Sequence, residues 1–118
     1  MKQPNQELPI LEFRTADDLR AWLAENHATS AGIWLRIYKV SSGIASVSFE
    51  DVLDAGLCFG WSESMRRKGD DRSYLQRFTP RRKKGTTSPR NLEHVERLIE
   101  AGKMTPAGLR ALGIEPGD

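Results

Sequence analysis

Cysteine is almost absent from this chain: Cys58 is the single one, so an internal disulfide and a thiolate zinc cluster are both excluded. Histidine is nearly as scarce. His27 and His94 lie far apart and lack the spacing of metal ligands. No apolar run approaches the roughly 18 residues of a membrane span, and residues 1–7 lack the apolar block of a signal peptide. Repeats and low-complexity stretches are missing too. These absences predict a soluble, cytoplasmic protein with no metal and no cofactor, in a compartment that keeps thiols reduced.

The 118 residues fit one domain spanning 1–118, with an arm at 1–11 that becomes ordered near Leu8, Ile10 and Leu11, and a frayed tail at 115–118. The net charge of +2 conceals a strong asymmetry. Between Met65 and Arg90 stand ten Lys or Arg against two Asp, so this segment is a cationic side that attracts anions.

Capping and periodicity place the elements. Thr15 with Asp18 opens a first helix whose stripe is Leu19, Trp22 and Leu23, ending before Gly32. Residues 33–39 alternate as a strand, with Ile33, Leu35 and Ile37 on the core face and Trp34, Arg36 and Tyr38 on a partly buried second face. Ser48 with Asp51 opens a second helix. Gly56 falls on its apolar stripe, and the cost of glycine in a helix, about 1 kcal/mol, implies a close neighbour there. Residues 62–68 and 72–78 read as an antiparallel hairpin turning at Gly69, Asp70 and Asp71. Pro80 is expected to end the second strand at Thr79. Ser88 with Pro89 opens a third helix with the stripe Leu92, Val95, Leu98 and Ile99, and Thr105 with Pro106 opens a fourth. The expected fold is α+β: a small, mainly antiparallel three-stranded sheet packed by about four helices.

The candidate chemistry follows the charge. Arg81, Arg82, Lys83 and Lys84 precede a helix start at 88–91, where free N–H groups favour an anion. Arg77, Arg81, Arg82, Arg90 and Asn91 are the expected contacts to a phosphate or carboxylate, with Glu63 as a polar partner near Arg67 or Arg77. Nucleic acid is the alternative anion, with Tyr74 and Phe78 beside Arg77 as a stacking surface. Aromatics at alternate strand positions are, however, more often core. A small enzyme is a second alternative, although no nucleophile, base and orienting group can be assembled from the sequence. Cys58, between Leu57 and Phe59, reads as packing.

Leu57-Cys58-Phe59-Gly60-Trp61, Arg77-Phe78-Thr79-Pro80-Arg81-Arg82, Asn91 and the block from Leu98 to Met104, in this order, resemble the YdeI/OmpD-associated family, also called bacteriocin-protection proteins. Phe13, Trp22-Leu23 and Ile33-Trp34-Leu35 fit as well. The resemblance implies a bacterial cytoplasmic α+β accessory protein connected with envelope stress and bacteriocin tolerance, without a defined reaction. Two features depart from that pattern. Ser62-Glu63 stands where the family has Ile-Asp, and Gly85-Thr86-Thr87-Ser88 lacks the family's Trp.

Overall fold

The computed structural model describes residues 8–81 and 89–114. Their elements, in chain order, are β1 (Ile10–Glu12), α1 (Ala16–Asn26), β2 (Ile33–Tyr38), a 3-10 turn (Val40–Ser42), α2 (Phe49–Phe59), β3 (Trp61–Asp70), β4 (Ser73–Pro80), α3 (Pro89–Glu100) and α4 (Pro106–Ala111). The sheet order is β1-β2-β4-β3, with β1 parallel to β2 and the remaining pairs antiparallel. The α+β class holds, but the sheet is four-stranded and mixed, so the three-stranded expectation needs correction. The extra strand comes from the arm. Three residues give no readable alternation, yet the Pro9 carbonyl accepts from the Trp34 N–H at 2.8 Å and starts the parallel ladder.

The helix starts follow their caps. Thr15 accepts from the Asp18 N–H at 3.1 Å, and Ser48 and Asp51 form a reciprocal capping box with both bonds near 3 Å. The main core cluster lies on one face of the sheet, where Ile33, Leu35, Ile37, Trp61 and Phe78 meet Leu19 and Leu23 of α1, Val52 and Leu57 of α2, and Val95 and Leu98 of α3, while Trp34 and Leu75 are buried on the other face. Gly56 makes the predicted close contact: a Cβ there would lie 2.8 Å from the Trp61 carbonyl oxygen and 3.0 Å from the Phe78 ring. The α3 stripe is narrower than its spacing implied. Val95 and Leu98 are buried, whereas Leu92 and Ile99 are 43% and 46% exposed, because α3 meets the core along one edge.

Pro80 does not end β4 early; it is paired with Trp61. The next residue explains this. The Arg81 N–H donates to the Gly60 carbonyl at 2.9 Å, so by antiparallel alternation Pro80 occupies a position that needs no donor toward β3. On its other side β2 begins only at Ile33, opposite Phe78, so no ladder bond is lost there. In β3 the register against β4 shifts by one residue between Glu63 and Arg66, and again between Lys68 and Asp70. Gln76, buried among apolar side chains, donates from Nε2 to the Met65 carbonyl at 3.1 Å inside the first shift and satisfies a group the ladder leaves behind.

The face away from the helices carries a polar lattice spanning all four strands. Arg36 Nε lies 3.2 Å from Glu12, and its Nη1 donates to Ser73 Oγ at 2.8 Å. Ser73 in turn donates to Asp70 at 2.8 Å, and the Tyr38 hydroxyl donates to Glu12 at 3.2 Å. Among the described residues, no helix is long and apolar enough to cross a membrane.

Candidate functional site: a two-arginine cleft at the end of β4

Alternation along β4 sends Tyr74, Gln76 and Phe78 toward the helices and Leu75, Arg77 and Thr79 to the opposite face. Arg77, Thr79, Pro80 and Arg81 then line a cleft of about 220 Å³, closed on the far side by Ala31. That wall depends on Gly32, whose φ of +135° suits glycine. A Cβ at Gly32 would meet Thr79 Cγ2 at 2.5 Å, so the loop before β2 could not approach β4 with any other residue there.

The two guanidiniums differ in environment. Burial lowers the Arg81 pKa below the ordinary arginine range, and the Glu63 carboxylate opposes that shift. Arg77 is half-buried and has no ion-pair partner among the described residues. A guanidinium withdrawn from water without a carboxylate is a costly arrangement, and a bound anion offsets the cost.

The structure thus brings Arg77 and Arg81 together, as their sequence positions implied. Glu63 lies opposite Phe78, on the helix-covered face, and the first register shift in β3 separates it from Arg67's face; its carboxylate acts electrostatically on Arg81. Arg82, with Lys83, Lys84 and Ser88, lies outside the described residues. Arg90 falls in the first turn of α3, and its side chain also lies outside the described set. Asn91 is half-buried on α3 and already engaged by a neighbour, and it does not line the cleft.

The stacking surface read from Tyr74 and Phe78 is corrected. Phe78 is fully buried, 5.1 Å from the Trp61 ring, and both aromatics occupy the face opposite Arg77. Arg66 covers Tyr74 at 4.2 Å and reaches Phe49 at 5.4 Å. Cys58 is fully buried, and burial pushes its thiol pKa up against the opposing pull of Arg20. Its role is packing, as read from its neighbours. His27 Nδ1 donates to the Leu23 carbonyl at 2.8 Å, which assigns its proton, since a carbonyl can only accept.

Sequence reasoning missed two groupings. On the open face, the Arg67 guanidinium lies 4.3 Å over the Trp34 ring, and alternation in β2 had marked only the Trp34 side of that pair. Between α2 and α3, Arg97 Nη2 lies 2.8 Å from His94 Nδ1 and 3.4 Å from Asp54. His94 Nδ1 is also 3.6 Å from Asp54, but the nearer guanidinium is an obligate donor, so Nδ1 accepts from Arg97. Among the described residues, no group of three or more His, Cys, Asp or Glu is placed to hold a metal ion.

Comparison with characterised proteins supplies no reaction for this cleft: no curated protein and no solved structure matches the chain. One family model does match, over residues 11–111, a span that runs from β1 through α4 and so contains every residue lining the cleft. The chain therefore belongs to the family described as a domain of unknown function, DUF8412.

Proposed function

We propose that this protein binds a small anionic group, a phosphate or a carboxylate, in the cleft between Arg77 and Arg81. The observation that carries this reading is Arg77 itself, half-buried in a polar cleft with no carboxylate to neutralise it among the described residues. Thr79 lines the same wall, and the Glu63 carboxylate favours the charged form of Arg81. The basic residues Arg82, Lys83 and Lys84 follow directly in the chain and raise the local anion concentration. The resemblance to YdeI/OmpD-associated proteins supplies the proposed biological setting, an accessory role in bacteriocin tolerance.

Calorimetric titration with inorganic phosphate and with acetate tests the site. A charge-assisted hydrogen bond is worth roughly 1.5–3 kcal/mol, so Arg77→Ala should weaken binding by about 10- to 150-fold. The folded variant binding phosphate as tightly as the parent would remove the assignment. The setting is tested separately, by survival of a deletion strain under bacteriocin challenge. Rescue by the parent gene but not by Arg77→Ala is expected, and equal rescue by both would disconnect the cleft from tolerance.

A further inference from the structure

On the helix-covered side of the sheet, away from the β4 cleft, α1, α2 and the end of α3 enclose a second cavity of about 70 Å³. Ala55 and Leu98, both buried, supply its apolar surface. Its charges come in two signs. Arg20 of α1 and Lys103, just past α3, are the cations, while Asp51 and Asp54, one helical turn apart on α2, are the carboxylates. Opposite charges around so small a space would ordinarily close on one another. Here they stay apart: among the described residues, neither Arg20 nor Lys103 forms an ion pair with either acid.

The surrounding contacts hold each charge in place. Arg20 Nη2 donates to the Lys103 backbone carbonyl at 3.1 Å, and its guanidinium carbon lies 5.3 Å from the Phe59 ring centroid, so the cation is fixed to one wall. Asp51 uses Oδ2 to accept the Ser48 N–H of the capping box at 3.0 Å. Asp54 Oδ1 lies 3.4 Å from Arg97 and 3.6 Å from His94. Each carboxylate keeps its second oxygen without a partner among the described residues. Burial raises the Cys58 thiol pKa, and Arg20, Asp54 and Lys103 each modify it, so the three charges converge near that residue.

We infer that this cavity binds a small zwitterion, a free α-amino acid, whose carboxylate bridges Arg20 and Lys103 and whose ammonium group meets Asp51 and Asp54. Partners already fixed in place give strong charge-assisted hydrogen bonds at little ordering cost, and only a molecule with both charges satisfies both walls at once. The space sets the size. One water takes roughly 10–15 Å³ of such volume, so about 70 Å³ holds on the order of five heavy atoms, the ammonium nitrogen, α-carbon and carboxylate of one amino acid. The site is separate from the cleft between Arg77 and Arg81 and does not depend on it.

The test is calorimetry with glycine, and with acetate and methylamine, each of which carries one of its two charges. It is run on the parent and on Arg77→Ala, in which the β4 cleft no longer competes for the carboxylates. Arg77→Ala should bind glycine as tightly as the parent does, and about tenfold or more tightly than either single-charge probe. Adding Lys103→Gln or Asp54→Asn should each weaken glycine binding by about tenfold, the lower end of what a charge-assisted hydrogen bond supplies. Lys103 is exposed, so its variant should fold even where the loss of the Asp54 charge loosens α3. Glycine bound no more tightly than acetate or methylamine overturns the inference, as does a glycine affinity that Lys103→Gln leaves unchanged. Glycine binding that disappears in Arg77→Ala puts the carboxylate in the β4 cleft and removes the second site. Failure of glycine to bind the parent also removes it, and leaves the reading of the cleft untouched.

Discussion

Replacing Gly56 with alanine sets two effects against each other, and the structure decides which wins. Alanine improves the intrinsic helix preference of α2 by about 1 kcal/mol. The added methyl, however, would sit 2.8 Å from the Trp61 carbonyl oxygen and 3.0 Å from the Phe78 ring. The first neighbour is backbone of β3 and the second is a ring locked against Trp61, so neither yields as the end of a flexible side chain would. Overpacking of this kind costs about 1–3 kcal/mol, which leaves a net destabilisation of about 1 kcal/mol. For a domain of this size that lowers the melting temperature by about 4 °C. Urea denaturation provides the cleaner assay, because an unchanged m-value with a lower midpoint isolates a loss of stability. A higher midpoint for Gly56→Ala would show that helix preference governs and that α2 does not press on β3. The same displacement would move the hairpin bearing Arg77 and Arg81, so phosphate affinity should fall in parallel.

Other perturbations probe the rest of the frame. Thr105→Val removes the hydroxyl that accepts from the Gly108 N–H at 3.2 Å and donates to the Cys58 carbonyl, and should cost about 1–2 kcal/mol by urea titration; an unchanged midpoint would refute the capping role. Cys58 should resist a thiol reagent in the folded protein and react only as fast as the domain opens, since burial holds the thiol protonated; rapid stoichiometric labelling of the native state would contradict this. Asp70 is held below the usual carboxylate range by the Arg72 N–H and the Ser73 hydroxyl, so it stabilises the fold above about pH 3.9, and that contribution disappears as pH falls through its lower folded value. Asp70→Asn should therefore melt lower than the parent at neutral pH and converge with it in acid; a constant gap across that range would sink the assignment.

Local signals in the sequence specified local structure well. The Thr15, Ser48 and Thr105 caps each open the helix they imply, and alternation in β2 and β4 correctly separates Phe78 from Arg77. The cleft was half legible for the same reason, because Arg77 and Thr79 share one face of β4 and Arg81 directly follows its end. What escaped depends on chain segments distant in sequence. Ala31 and Gly32 enter the cleft only because the loop before β2 folds against Thr79, and Asp54 meets His94 and Arg97 only once α2 and α3 pack. β1 escaped because three residues in a parallel pair carry no periodic signature. The aromatic content of 72–78 misled the stacking reading, since Tyr74 and Phe78 are as suited to a core as to a ligand surface.

The register shifts in β3 have a consequence for how this surface can change. Side chains on a strand obey an odd-even rule, and each extra residue inverts it for everything downstream. As built, Arg66 lies against Tyr74, Arg67 against Trp34, and Asp70 opposite Ser73. Deleting Ser64 or Met65 would remove the first extra residue and join Glu63 opposite Phe78 to Arg66 opposite Gln76 in one regular ladder, leaving Arg66 against Tyr74 and Arg67 against Trp34. The shift thus acts as slack in the hairpin, a point at which chain length can shorten by one residue while the groups presented beyond it keep their faces.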